Sequence, residues 1–223
     1  MANELSTSEK LQKENISNIW KIICMDFLIL NIILSALNIE KFMSLLLSKS
    51  MLDNSLFKLL LSFILGILIV KLLLNILPAE IKHNIIFGKL KYSLPGHRAF
   101  TVHAKKDPRI DMENLEKILG VLPTIPSEQN RVWYKIYQKH KNDEQIIDSH
   151  LKFLFFRDSS ILTIFILIGF VILCIIFKAT LFQWIVTISF ILIQLIIFII
   201  SARNNGVRFV QNVLCLESHK NTP

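Results

Sequence analysis

Two ionisable residues stand where the sequence leaves them little water. Asp26 lies seven residues into an apolar run over residues 19–39, and Lys71 lies seven residues before Pro78, which closes a second run over 56–77. At a helical rise of ~1.5 Å per residue, each would sit ~10 Å inside the nearer end of its run. A lone charge at that depth in hydrocarbon costs about 2–3 kcal/mol even on lenient insertion scales. Opposite charges at matching depth can offset that cost, so Asp26 and Lys71 are expected to form an intramembrane control pair. The competing reading has Lys71 snorkelling to the headgroups and the first run entering lipid later.

A second pattern is polar but uncharged. Gln183, Thr187, Gln194 and Ser201 are spaced by 4, 7 and 7 residues, which places them on one helical face. Asn31, Ser35 and Asn38 repeat the pattern in the first run, and Ser62 with Gly66 permits close helix approach in the second. Such stripes either line a water-filled path when subunits assemble or act as polar glue between packed helices. Both roles can coexist.

A third set of polar residues lies between the apolar runs. It comprises His97-Arg98, Asp107-x-Arg109-x-Asp111, Glu128-Gln129-Asn130-Arg131 before Trp133-Tyr134, and Arg157-Asp158. None of these has the spacing of a zinc-protease helix, a nucleophile elbow or a phosphate-binding glycine loop. His97, His103 and Asp107 match no usual metal spacing. The expectation is no enzyme, no metal and no cofactor. Alternating Asp and Arg then read as a salt-bridge network. With Trp133, Tyr134, Arg203 and Arg208, the residues His97, Arg98, Asp107, Arg109, Asp111, Arg157 and Asp158 form a candidate coupling or ligand surface.

The elements that must position these residues are four long apolar runs, over 19–39, 56–77, 161–177 and 181–200. A bilayer core needs ~20 mostly apolar helical residues to cross it. Over 223 residues the chain is 52% hydrophobic with sixteen Phe, too apolar for an ordinary soluble domain unless much of it faces lipid. The fold class expected is an all-α integral membrane protein, with four transmembrane helices in two hairpins flanking a mainly helical cytosolic module. Segment 80–158 holds fourteen of the 25 Lys and Arg, whereas the two opposite connections hold only Lys41, Lys49, Lys58 and Lys178. The positive-inside rule therefore places both termini and the module in the cytoplasm. The net charge of +8 is assigned to a face near anionic lipid, without direct nucleic-acid binding. Glu4, Glu9 and Glu14 leave no basic leader region, so the first run is expected to stay as a signal anchor. Cys24, Cys174 and Cys215 are scattered and expected to be reduced.

The resulting organisation is an amphipathic segment (1–18), a first hairpin with an outer interfacial helix (19–78), the module (79–158), a second hairpin (159–201) and a tail (202–223). Ser6-x-x-Glu9 is a capping box opening the first segment, and residues 39–47 carry the interfacial pattern. Within the module, Asp111 should cap a helix ending at Gly120, and Ser127 a second helix with Val132, Trp133, Ile136 and Tyr137 on one stripe. A third should start at Asn142 or Asp143 and run on into the third apolar run. Leu94 to Lys106 reads as a turn followed by an extended strand through Phe100 and Val102. Arg203-Asn204-Asn205-Gly206 reads as a helix stop, with Gly206 left-handed and a short amphipathic return through Val207, Val210, Val213 and Leu214.

The segments Leu94-Pro95-Gly96-His97-Arg98-Ala99-Phe100, Asp107 to Asp111, Glu128-Gln129-Asn130 with Trp133-Tyr134, Phe156-Arg157-Asp158 and Arg203-Asn204-x-Gly206-x-Arg208 carry a resemblance. Together with the layout of two spans, insert and two spans, they resemble small bacterial membrane proteins of anti-phage defence systems, among them the transmembrane effectors that accompany retrons. The resemblance implies abortive infection: a homo-oligomer in the inner membrane, silent until a soluble sensor or nucleoprotein reports infection, then depolarising the membrane. Two other readings remain open. One is a membrane anchor that recruits a soluble partner through Trp133, Tyr134 and Tyr137. The other is a small channel, transporter or lipid-modifying enzyme, the last acting through His97, Arg98 and Asp107.

Overall fold

The computed structural model describes residues 15, 17–19, 21–22, 26, 72, 74–176 and 180–220. Among them every regular element is helical. In chain order these are α1 (Ala79–Phe87), a 3-10 turn (Pro95–Arg98), a π-helical turn (Ala99–Ala104), α2 (Met112–Leu119), α3 (Pro126–His140), α4 (Glu144–Ile176) and α5 (Leu181–Ser218). Two helices are long and apolar enough to cross a bilayer, α4 over Glu144–Ile172 and α5 over Leu181–Ser218. Most of the apolar runs 19–39 and 56–77 lies outside the described residues, as do the N-terminal capping box and the outer interfacial helix. The described residues divide into two units. One takes them from 1–18, 79–160 and 197–223, and the other from 19–78 and 161–196.

The first unit is a helical module built by local signals that the sequence carries openly. The Asp111 side chain accepts from the Asn114 amide at 2.9 Å and so caps α2, and Gly120 ends it at φ 76°. Asp143 Oδ1 accepts from the Gln145 amide at 2.9 Å and opens α4. Ser127 does not cap α3. The cap position is Ile125 and Pro126 takes the first helical position, where its missing N–H costs nothing.

Two expectations fail here for identifiable reasons. Residues 95–104 are not a turn and strand but a 3-10 turn followed by a π-helical turn. Gln129, 1% exposed, accepts from the Phe100 amide at 3.1 Å and from the Thr101 amide at 3.2 Å. Its own amide donates to the Thr124 carbonyl at 2.8 Å. This one side chain satisfies backbone donors that an isolated strand would have had to pair elsewhere. Gly206 is likewise no helix stop, because α5 runs through it to Ser218. A Cβ at Gly206 would meet the Phe153 ring at 3.1 Å and the Phe87 ring at 3.1 Å. The glycine serves close approach of two aromatic rings and not a left-handed turn.

With α5 unbroken, Val210, Val213 and Leu214 enter the module's core beside Phe100, Ile110, Leu115, Ile136 and Ile146. An aromatic cluster extends it. The His150 and Phe209 rings stack at 4.6 Å, and Trp133 and Tyr137 meet Phe209 edge-on at 5.3 and 5.2 Å.

The second unit has the opposite polarity. Phe170 and Ile191 are buried among Ile166, Leu167, Trp184 and Phe190. Its exposed surface is also apolar, with Ile168, Ile172, Ile175, Leu181, Phe182, Ile185, Ile193 and Ile196 all more than half exposed.

Candidate functional site

Asp26 and Thr187, two polar residues of the apolar unit, are buried. Thr180 and Gln183 form a reciprocal cap at the start of α5: the Gln183 amide N–H donates to Thr180 Oγ1 at 3.3 Å, and the Thr180 amide N–H donates to Gln183 Oε1 at 2.7 Å. Gln183 therefore acts as a helix cap. Seven residues apart on α5, Thr187 and Gln194 do face inward. Thr187 is fully buried, and its Oγ1 meets no hydrogen-bond partner among the described residues.

Gln194 Nε2 donates to both carboxylate oxygens of Asp26, at 2.8 and 2.9 Å. Asp26 is 6% exposed. Lys71, the expected partner of Asp26, lies outside the described residues, as do Asn31, Ser35 and Asn38. An amide is a weaker counterpart for a carboxylate than an ammonium, because it supplies donors without a compensating charge.

Among the described residues of the module, three groups of charged side chains each centre on a buried carboxylate. Asp158 is the centre of the first. It accepts from Arg157 Nε at 2.9 Å and Asn15 Nδ2 at 3.0 Å, with Lys82 Nζ at 3.5 Å. Arg157 also reaches His83 Nε2 at 3.2 Å, and the His83 ring stacks on Phe153. Burial, with the Arg157 charge adding to it, lowers His83 to about 4, so its Nε2 is an acceptor at neutral pH. Arg203 completes this region by donating through Nε to the carbonyl of Ile86, near the end of α1.

Asp107 and Arg109 form the second group as a bidentate pair at 3.0 and 2.7 Å, with Arg109 also donating to Asn212 Oδ1 at 3.1 Å. The hydrogen bonds from Arg109 hold the Asp107 carboxyl below its usual value. Glu217 is the centre of the third, fully buried, with Lys139 Nζ and His140 Nε2 each at 2.6 Å. The sequence carried a signal for it, since Glu217 continues the 210, 213, 214 stripe by one step of helical spacing.

The remaining candidates are dispersed. His97 Nδ1 lies 3.2 Å from the Leu94 carbonyl, and Asp111 is spent as a cap. Trp133, at 7% exposure, is a core residue and not a surface one, whereas Tyr134 is 52% exposed. Arg98 is half-buried and Arg208 exposed. Among the described residues no three His, Cys, Asp or Glu side chains gather as a ligand set. A groove of about 560 Å³ opens between the π-helical turn and α2, lined in part by Phe100, Lys105, Met112, Glu116, Val121 and Leu122. Comparison of the chain with family models, with curated proteins and with solved structures gives no match.

Proposed function

We propose that the chain is a four-span inner-membrane protein, assembled as a homo-oligomer, whose cytosolic module receives a signal and shifts the spans so that the membrane depolarises. The role is that of an effector in anti-phage defence, and both termini lie in the cytoplasm. One observation carries this reading: the second unit buries Asp26 and Thr187 while turning Ile172, Ile185 and Ile193 outward. Water would favour the reverse arrangement, and hydrocarbon favours this one. A carboxylate kept in such surroundings without a formal counter-charge among the described residues is costly to hold, which suits a responsive element better than a passive anchor.

Membrane potential, followed with a voltage-sensitive dye in bacteria expressing the chain with its genomic neighbours, tests the proposal. Depolarisation on phage infection that is lost in Asp26→Asn, at unchanged membrane abundance, is the expected result. Unchanged potential under every trigger would sink it.

The groove beside α2 favours a second reading, in which the module recruits a soluble partner and no path opens. Under that reading Gln194→Leu leaves activity intact, while Glu116→Arg in the groove abolishes it.

A further inference from the structure

Helix α1 and the turn after it carry apolar side chains in two directions. Ile86 is fully buried, and Lys82 points into the Asp158 cluster. Turned roughly 100° away around the helix, Ile81 and Ile85 remain 44% and 39% exposed. A helix covering a module in water would carry polar residues on that adjoining face. Glu80 is the acidic residue of its first turn.

The chain then reverses through Gly88, at φ 63°, with the Lys89 amide donating to the Asn84 carbonyl at 3.3 Å. Beyond the turn come Lys89, Leu90, Lys91 and Tyr92, all exposed, with Leu90 at 87%. Tyr92 holds a left-handed φ of 51°, which is uncommon for an aromatic residue, and its ring rests 5.2 Å from that of His97. Neither Lys89 nor Lys91 makes an ion pair among the described residues.

We propose that residues 79–92 form an interfacial element that docks on an anionic bilayer surface. Ile81, Ile85 and Leu90 enter the acyl boundary, Lys89 and Lys91 meet lipid phosphate, and Tyr92 lies at headgroup level. The chemistry selects lipid over a protein partner. Isolated aliphatic side chains flanked by free ammonium groups match a surface with phosphate outside and hydrocarbon a few ångströms beneath. Covalent connection agrees, since α1 begins at the residue after Pro78, where the apolar run 56–77 ends. The inference rests on the membrane-spanning reading above.

The test uses the full chain with its native cysteines replaced by alanine and Leu90→Cys carrying an environment-sensitive fluorophore. It is reconstituted into phosphatidylcholine vesicles with or without phosphatidylglycerol and probed with lipid spin-labelled either near the headgroup or deep in the acyl chain. Emission should shift to the blue and be quenched in the phosphatidylglycerol vesicles. Lys89→Gln and Lys91→Gln should each lower the docked-to-free ratio about five-fold. Emission as in water would overturn the proposal, as would a blue shift without quenching, which would mean that protein covers this face. A second label at Ile193→Cys separates the two failures. Quenching there but not at position 90 refutes the docking element alone, and quenching at neither refutes the membrane reading with it.

Discussion

Gln194 holds both oxygens of the Asp26 carboxylate through a single amide nitrogen, at 2.8 and 2.9 Å, with Asp26 almost wholly removed from the surface. Gln194→Leu keeps the volume and deletes the donor. Leaving a buried acceptor unserved costs about 1–3 kcal/mol. The variant should therefore unfold earlier in a detergent-stability series, and Asp26→Asn, which retains an oxygen for Gln194, should lose less. Equal losses would mean that the hydrogen bond contributes nothing.

Among the described residues, Asp158 is the one acid beside Lys82 and Arg157, all three nearly buried at the side chain. Asp158→Ala strands two cations and should destabilise the module by about 3–5 kcal/mol. Thermal unfolding reports this directly. A compensating Lys82→Met should recover part of the loss, because it removes one stranded charge.

Gly206 has two phenyl rings at 3.1 Å from where a Cβ would stand. Gly206→Leu should force Phe153 and Phe87 apart and cost about 1–3 kcal/mol, despite the better helix propensity of leucine. A left-handed glycine, the expectation from sequence, would instead be strained by any side chain. Gly206→Ala, which adds only the Cβ 3.1 Å from both rings, should cost less than Gly206→Leu if packing decides, and about as much if backbone conformation does.

Acid should weaken the module before its carboxylates protonate. His83 and His103 are each lowered from 6.5 to about 4, first by burial and then by Arg157 and Arg98 respectively. Below pH 6.5 the unfolded chain takes up protons that the folded module refuses, so the histidines' contribution to stability falls as pH drops from 6.5 towards 4 and levels off below it. The midpoint of thermal unfolding, measured across that window, should show this decline. His83→Gln should flatten it in part while keeping an acceptor for Arg157.

What could be read from sequence was whatever depends on neighbours along the chain. Asp111, Gly120 and Asp143 act within one helical turn of themselves, so their caps stand where spacing put them. The length and apolar character of α4 and α5 follow from composition in the same way, and helical spacing alone puts Thr187 and Gln194 on one face. Gln183 of that spacing spends its side-chain oxygen on the local Thr180 amide as a cap.

The rest required residues far apart in sequence to meet. Only folding brings Gln129 to Phe100 and so turns an apparent strand into helical turns. Only folding sets Phe153 and Phe87 against Gly206 and changes a helix stop into a packing point, and only folding gives Asp26 the amide of Gln194. Short-range signals fix an element because its hydrogen bonds close within a few residues. A site assembled from distant segments depends on which side chains the packed core leaves each buried polar group to meet.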